Sequence, residues 1–215
     1  MSSFEVTPRN QVRRKPERAS YDAETVYAIL DAAQVCHMAF VEDGQPFVIP
    51  TQFGRIGDVL VVHGSYGSRL MKLLQAGAQV SVSVAVVDGL VVARSVMHHS
   101  ANYHSAVVFG RGRKLESDEE KLAGLRAFTE KVLPGRWEEA RPPSPAELRG
   151  TALAAIDIHS ASAKVRSGPP IDAAEDLALP VWAGVIPLRT TAGPLAGESD
   201  QPVPTSVRSY LDKNR

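Results

Sequence analysis

Residues 61–69 read Val61-Val62-His63-Gly64-Ser65-Tyr66-Gly67-Ser68-Arg69, with Leu70, Lys72, Leu73 and Leu74 following. An apolar run ends at His63, glycines at 64 and 67 permit a tight reversal, and the apolar positions then fall at helical spacing. The stretch predicts a strand, a turn and a helix over 68–76. A helix start exposes unpaired amide hydrogens and the positive end of its dipole, which favours an anion. Ser65 and Ser68 add hydroxyls, Arg69 a fork suited to phosphate oxygens, and Lys72 a second charge one turn on. Two readings of the turn stand: a phosphate site, or a capped amphipathic helix whose Arg and Lys face water. There is no Walker A loop and no Gly-x-Gly-x-x-Gly fingerprint.

On either side of this turn the texture is β-rich. Runs at 35–41, 46–53, 58–63, 79–87, 89–97, 105–115, 151–158 and 181–188 predict strands, with turns at Glu42-Asp43-Gly44-Gln45, at 54–58 and at Asp88-Gly89. One helix is expected from Asp22, its N-cap, to Gln34, burying Val26, Ile29, Leu30 and Ala33. Another runs from Ser117 to Val132, with Ser117 and Glu120 at capping-box spacing and Leu122, Leu125, Phe128 and Val132 on one side; Pro134-Gly135 stops it. A short helix is expected near Pro145 to Arg149, and a loop from Ser160 to Asp176. Short strands with inserted rather than alternating helices predict a mainly β fold, an antiparallel barrel and not a doubly wound sheet.

Residues 1–20 form a polar arm whose Arg9, Arg13, Arg14, Lys15 and Arg18 read as solvated charge, 21–190 one domain, and 191–215 a tail expected to be mobile or to lie over a neighbour. Across 215 residues, 24 Lys and Arg balance 24 Asp and Glu, which gives no footprint for nucleic acid or anionic lipid. Any anion site is therefore local. Cys36 is the single cysteine, so neither an intramolecular disulfide nor a thiolate zinc cage is available. No apolar run approaches the roughly 18 residues that span a bilayer, and the N-terminus has no apolar signal core, so a cytoplasmic protein is expected.

Other residues carry weaker signals. Pro50, within Val48-Ile49-Pro50-Thr51, cannot donate to a ladder; it marks an edge strand, or a backbone released to hydrogen-bond a planar ligand. His63, at a strand end, reads as a structural residue or as one facing a site. His98, His99 and His104 do not suggest a metal, since neighbours in an extended segment face opposite ways and no carboxylate or thiolate stands at a recognised spacing. Ser100-Ala101-Asn102-Tyr103-His104-Ser105 forms a polar patch entering an apolar strand. No Gly-x-Ser-x-Gly elbow and no acid–base carboxylate pair supports hydrolysis.

Taken in order, Val48 to Gly54, His63 to Lys72 and Ser100 to Gly110 resemble the FMN-binding split-barrel proteins related to pyridoxamine 5′-phosphate oxidase, and most closely their nitroimidazole-resistance (Nim) branch. The resemblance covers about residues 24–190. It implies a six-stranded antiparallel split barrel, a homodimer, and one FMN in each of two clefts between subunits. It also implies that the FMN phosphate sits at Gly67-Ser68-Arg69 with Ser65 and Lys72 nearby, and the isoalloxazine against the Ile49-Pro50-Thr51 backbone. Asn102, Tyr103 and Ser105 match the element lining the cleft, and His63 the strand-end histidine at the ligand site. Two pyridoxamine oxidase elements, Arg-x-Val-Leu-Leu-Lys and a late Arg-x-His, are absent, which argues against vitamin B6 oxidation, and His104 stands where Nim-like chains often have Arg. Trp182 is expected in the core, or covering a flavin. The activity implied is an FMN-dependent oxidoreductase passing electrons from NAD(P)H to a small acceptor, nitroaromatics among them, with His63 orienting or protonating that acceptor. The alternative is a non-enzymatic protein that holds flavin or haem.

Overall fold

The computed structural model describes residues 2–197 and 200–215; Met1 of the expected arm and Glu198 and Ser199 of the expected tail lie outside the described residues. In chain order the elements are β1 (Ala19–Ser20), α1 (Ala23–Ala32), β2 (Cys36–Glu42), β3 (Gln45–Thr51), β4 (Gly54–Ile56), β5 (Val59–Gly64), α2 (Arg69–Gln75), β6 (Gln79–Val92), β7 (Ser100–Lys114), α3 (Asp118–Val132), α4 (Arg136–Glu139), α5 (Pro145–Gly150), β8 (Ala152–Arg166), β9 (Gly184–Pro187) and α6 (Thr205–Asn214). Among the described residues the strands form one nine-stranded sheet, ordered β3-β2-β6-β7-β8-β5-β4, with β1 paired to β8 and β9 to β6. The β1–β8, β2–β3, β4–β5, β5–β8 and β6–β9 pairings are antiparallel. The class is the mainly β one expected, with more strands than six.

The chain divides into two compact units. One comprises Gln34–Val82, Val108–His159 and Thr190–Arg215. Here the β2–β3 hairpin turns on Asp43 (φ 51°) and Gly44 (φ 78°), as a tight two-residue reversal requires. Its strand β3 is an edge, and Pro50 sits there opposite His37. Phe53, Leu60, Leu74, Leu153 and Ile156 are fully buried. Helix α3 starts on the expected Ser117–Glu120 capping box, but it buries Lys121 and Gly124 while Leu122 is exposed. The cause is close approach: a Cβ on Gly124 would stand 2.9 Å from Val61 Cγ1, so position 124 faces β5. Leu122, about 200° round the helix from it, points away. The tail is not free after Thr190, because α6 is anchored where Ser206 N donates to Glu139 Oε1 at 3.0 Å.

The other unit comprises Met1–Ala33, Ser83–Val107 and Ser160–Arg189. Asp22 caps α1, its Oδ2 accepting from Thr25 N at 2.9 Å, and Val26, Ile29 and Leu30 are buried as their spacing required. Asp88-Gly89 is not a turn: β6 runs straight through it, because β9 pairs alongside with Gly89 opposite Pro187. Ser160 to Arg166, expected as loop, continues β8, where Ala163 and Lys164 pair with β1. The basic arm is tied down. Asn10, 3% exposed, donates from Nδ2 to Glu5 O at 2.9 Å and to Ala161 O at 3.0 Å, and Lys164 Nζ donates to Arg14 O at 2.8 Å. Trp182 is not a core residue; it is 64% exposed, its ring packed on Gly184. Among the described residues no helix is long and apolar enough to cross a membrane.

Candidate functional site

The turn after β5 gathers the residues that the sequence grouped. Leu60, Val61 and Val62 are buried, and His63 emerges at the strand end with its ring edge-on to Phe128, centroids 4.4 Å apart. The ring keeps an exposed side, yet the Phe128 ring packed on the other partly desolvates it and lowers its pKa below the ordinary imidazole value, which favours the neutral form. Helix α2 then folds back so closely that a Cβ on Gly64 would lie 3.1 Å from Met71 Cγ. Ser65 braces the turn twice: its Oγ accepts from Gly67 N at 3.1 Å and its carbonyl from Ser68 N at 3.0 Å. The Ser68 hydroxyl does not cap α2, and Lys72 is exposed.

Arg69 does not point into open solvent. Its Nε lies 3.0 Å from Glu42 Oε2, and the guanidinium sits 4.3 Å over the Phe47 ring. Both partners belong to the β2–β3 hairpin, so the turn is pinned to the strand pair that carries Ile49, Pro50 and Thr51. Ile49 and Thr51 share the face of β3 that bears Phe47, and Pro50 takes the other. Beneath the turn, Lys121 is 7% exposed and its Nζ reaches Tyr66 Oη at 3.4 Å and Leu148 O at 3.5 Å. Sequence reasoning missed Glu42 and Lys121. Nothing in the sequence marked Lys121 for burial, since it follows Asp118, Glu119 and Glu120 in the first turn of α3.

Asn102, Tyr103 and Ser105 lie on β7 in the other unit. Two of the three side chains are held internally. Asn102 donates to Gly168 O at 3.1 Å and its Oδ1 accepts from Arg166 Nη1, while Ser105 Oγ donates to Lys164 O at 3.2 Å. Tyr103 instead lines a cavity of about 630 Å³ that is also bordered by Arg14, Lys15, Arg18, Lys164 and Arg166. Arg166 is 6% exposed, and its pKa is lowered by burial first and by the nearby Arg18 second. The histidines diverge: His99 Nδ1 accepts from Ala93 N at 3.0 Å, His104 Nδ1 pairs with Asp88 Oδ2 at 2.9 Å, and His98 Nδ1 is buried with no hydrogen-bond partner among the described residues. Arg166 and the arm cations were missed as site residues because the sequence placed one in a loop and the others in solvent.

A family model described as pyridoxamine 5′-phosphate oxidase matches residues 22–165. Comparison with curated proteins found no match. Among solved structures, flavocytochrome Anf3 from Azotobacter vinelandii is 40% identical, with 95% of this chain and 97% of that one covered and a TM-score of 0.87. The FAD and heme binding protein from Mycobacterium smegmatis is also 40% identical, with 90% and 97% covered and a TM-score of 0.85. A structure described as a candidate 5-nitroimidazole antibiotic resistance protein from Bacteroides thetaiotaomicron VPI-5482 shares the fold at 20% identity, with 68% and 86% covered and a TM-score of 0.58. The matched span takes in the turn at 63–72, the edge strand and the Asn102-Tyr103 patch, and the chain belongs to the pyridoxamine 5′-phosphate oxidase family.

Proposed function

We propose that the chain is a flavin-dependent oxidoreductase, cytoplasmic and homodimeric, that carries electrons from NAD(P)H to a small acceptor such as a nitroaromatic. The observation that carries this reading is 40% identity, over nearly the whole chain, to a flavocytochrome and to an FAD- and haem-binding protein. The donor set of the 63–72 turn fits a flavin phosphate: two hydroxyls, a guanidinium and an ammonium on one short segment. Ser65, Ser68, Arg69 and Lys72 would hold the FMN phosphate, the Ile49-Pro50-Thr51 backbone would face the ring, and Asn102, Tyr103 and Ser105 would line the cleft. When bound, the flavin supplies the hydride and electron chemistry, and the chain supplies binding, orientation and shelter from water. His63, held neutral by its packing on Phe128, suits hydrogen-bonding to an acceptor better than delivering a proton at neutral pH.

Purified protein should show the visible bands of a flavin, bleach on anaerobic addition of NADH or NADPH, and recover over many turnovers when a nitroaromatic is added. Colourless protein that takes up neither FMN nor FAD would overturn the reading.

A second reading is favoured by the same two relatives and by the state of His63: a protein that binds haem with or without flavin and does not turn over. A neutral imidazole is the form that ligates haem iron, and His63 is kept in it. Haem titration should then give a Soret band that disappears in His63→Ala. Flavin turnover in haem-free protein would oppose it.

A further inference from the structure

The cations around Tyr103 have no part in the reading above. Arg14, Lys15, Arg18, Lys164 and Arg166 set five positive charges on one cavity against a single carboxylate, Asp172. That carboxylate is already closed by Arg94 Nη1 at 2.7 Å, and Glu17, next to Arg18 in the chain, stands 4.0 Å from its Nε. Arg166 is buried with neutral partners: Asn102 Oδ1, Gly168 O at 3.3 Å and Pro169 O at 3.1 Å. Gathering like charges around one cavity, one of them the buried Arg166, costs free energy that an anionic ligand returns. The arrangement is built and not incidental. Lys164 Nζ ties the arm to β8 through Arg14 O at 2.8 Å, and Lys15 adopts a left-handed φ of 57° to start the turn that carries Arg18.

The cations come from two elements, the arm and β8, and five of them exceed what a single phosphate needs for neutralisation. The remaining wall suits a ring: Tyr103, Met97, Ile171 and His98, whose Nδ1 is unpartnered among the described residues. At about 630 Å³ the cavity is within the range of cofactor and nucleotide sites. We propose that this cavity binds the diphosphate of a nucleotide, the adenosine diphosphate half of NAD(P)H. The inference stands on the cavity's own charge and shape and does not depend on the flavin placement at 63–72.

The test is calorimetric titration of the full chain with ADP and, separately, adenosine. ADP should bind far more tightly than adenosine, and its affinity should fall steeply with added salt. Arg166→Gln should weaken ADP by about tenfold or more, the size of one lost charge-assisted contact. Because Arg166 also holds the Gly168 loop, a second variant, Arg14→Gln with Lys15→Asn, alters only exposed arm residues, and asparagine accepts the left-handed backbone at 15; it should weaken ADP as well. Competition separates the two dinucleotides: ADP displacing NADPH while flavin stays bound supports the proposal, whereas ADP displacing FAD would place a flavin diphosphate here and overturn it. ADP binding no better than adenosine, unchanged ADP affinity in the arm variant, or haemin occupying the cavity in place of ADP would overturn the proposal. Colourless protein that still binds ADP would sink the flavin reading and leave this one standing; yellow protein that ignores ADP would do the reverse.

Discussion

Arg69 Nε lies 3.0 Å from Glu42 Oε2, and the pair bolts the turn that opens α2 to the end of β2. Half-exposed ion pairs of this kind add about 0–1 kcal/mol to stability, less than the 1.5–3 kcal/mol typical of a hydrogen bond to a charged group. The difference sets the sign of two substitutions. Arg69→Ala should weaken FMN binding by about 1.5 kcal/mol, roughly tenfold in Kd, the low end of the range because the side chain is 51% exposed. Glu42→Gln should tighten it, since a carboxylate competing for the same guanidinium is removed at little structural cost. Flavin fluorescence titrations read both; equal affinity in Arg69→Ala would move the phosphate elsewhere.

Gly112 sets how near α2 can come to β7. A Cβ there would stand 2.5 Å from Leu74 O and 2.7 Å from Leu74 Cα, both backbone atoms that cannot rotate away. Gly112→Ala should therefore push the helix off the strand and destabilise the protein by about 1–3 kcal/mol, the usual cost of overpacking. Since α2 carries Arg69 and Lys72, flavin affinity should fall too. Gly150→Ala is the control, with nothing within 4 Å and a helical setting in which alanine is the better residue. Urea unfolding of the two variants separates a steric effect from a general intolerance of glycine replacement.

What could be read in the sequence was what neighbours decide. The Asp22 cap, the Ser117–Glu120 box and the Asp43-Gly44 reversal each depend on residues within four positions, and each formed as spelled. Asp88-Gly89 carried the same turn chemistry, yet pairing with β9, almost a hundred residues on, held it extended. The face of α3 was misjudged because the spacing of Leu122 and Leu125 says nothing about Gly124 meeting Val61. The site divides in the same way. Ser65, Ser68, Arg69 and Lys72 are close in the chain and were grouped at once, whereas Arg14 and Arg166 reach one cavity only after β8 is extended and the arm is fastened to it.

Cys36 should be inert while the protein is folded. It is fully buried in β2, and burial pushes its thiol pKa up to about 12, so almost no thiolate exists near neutral pH. A thiol reagent at pH 8 should titrate no cysteine in native protein and one after denaturation. Rapid reaction in the native state would mean that β2 opens readily, and the hairpin holding Glu42 and Phe47 would then be a poor support for Arg69.

The packing of His63 on Phe128 makes stability depend on pH in a definite direction. Its folded-state pKa lies below the ordinary value of 6.5, so as pH falls the unfolded chain takes up the proton first. The contribution is complete above about 6.5 and is lost as pH drops through the folded value. Tm should thus decline below that point beyond what the carboxylates explain, and His63→Phe, which keeps an aromatic ring against Phe128 but cannot be protonated, should flatten the decline. A Tm–pH profile of His63→Phe that superimposes on the wild-type profile would show that the imidazole is not desolvated, and with it would go the reason for treating His63 as a neutral hydrogen-bonding or iron-ligating group.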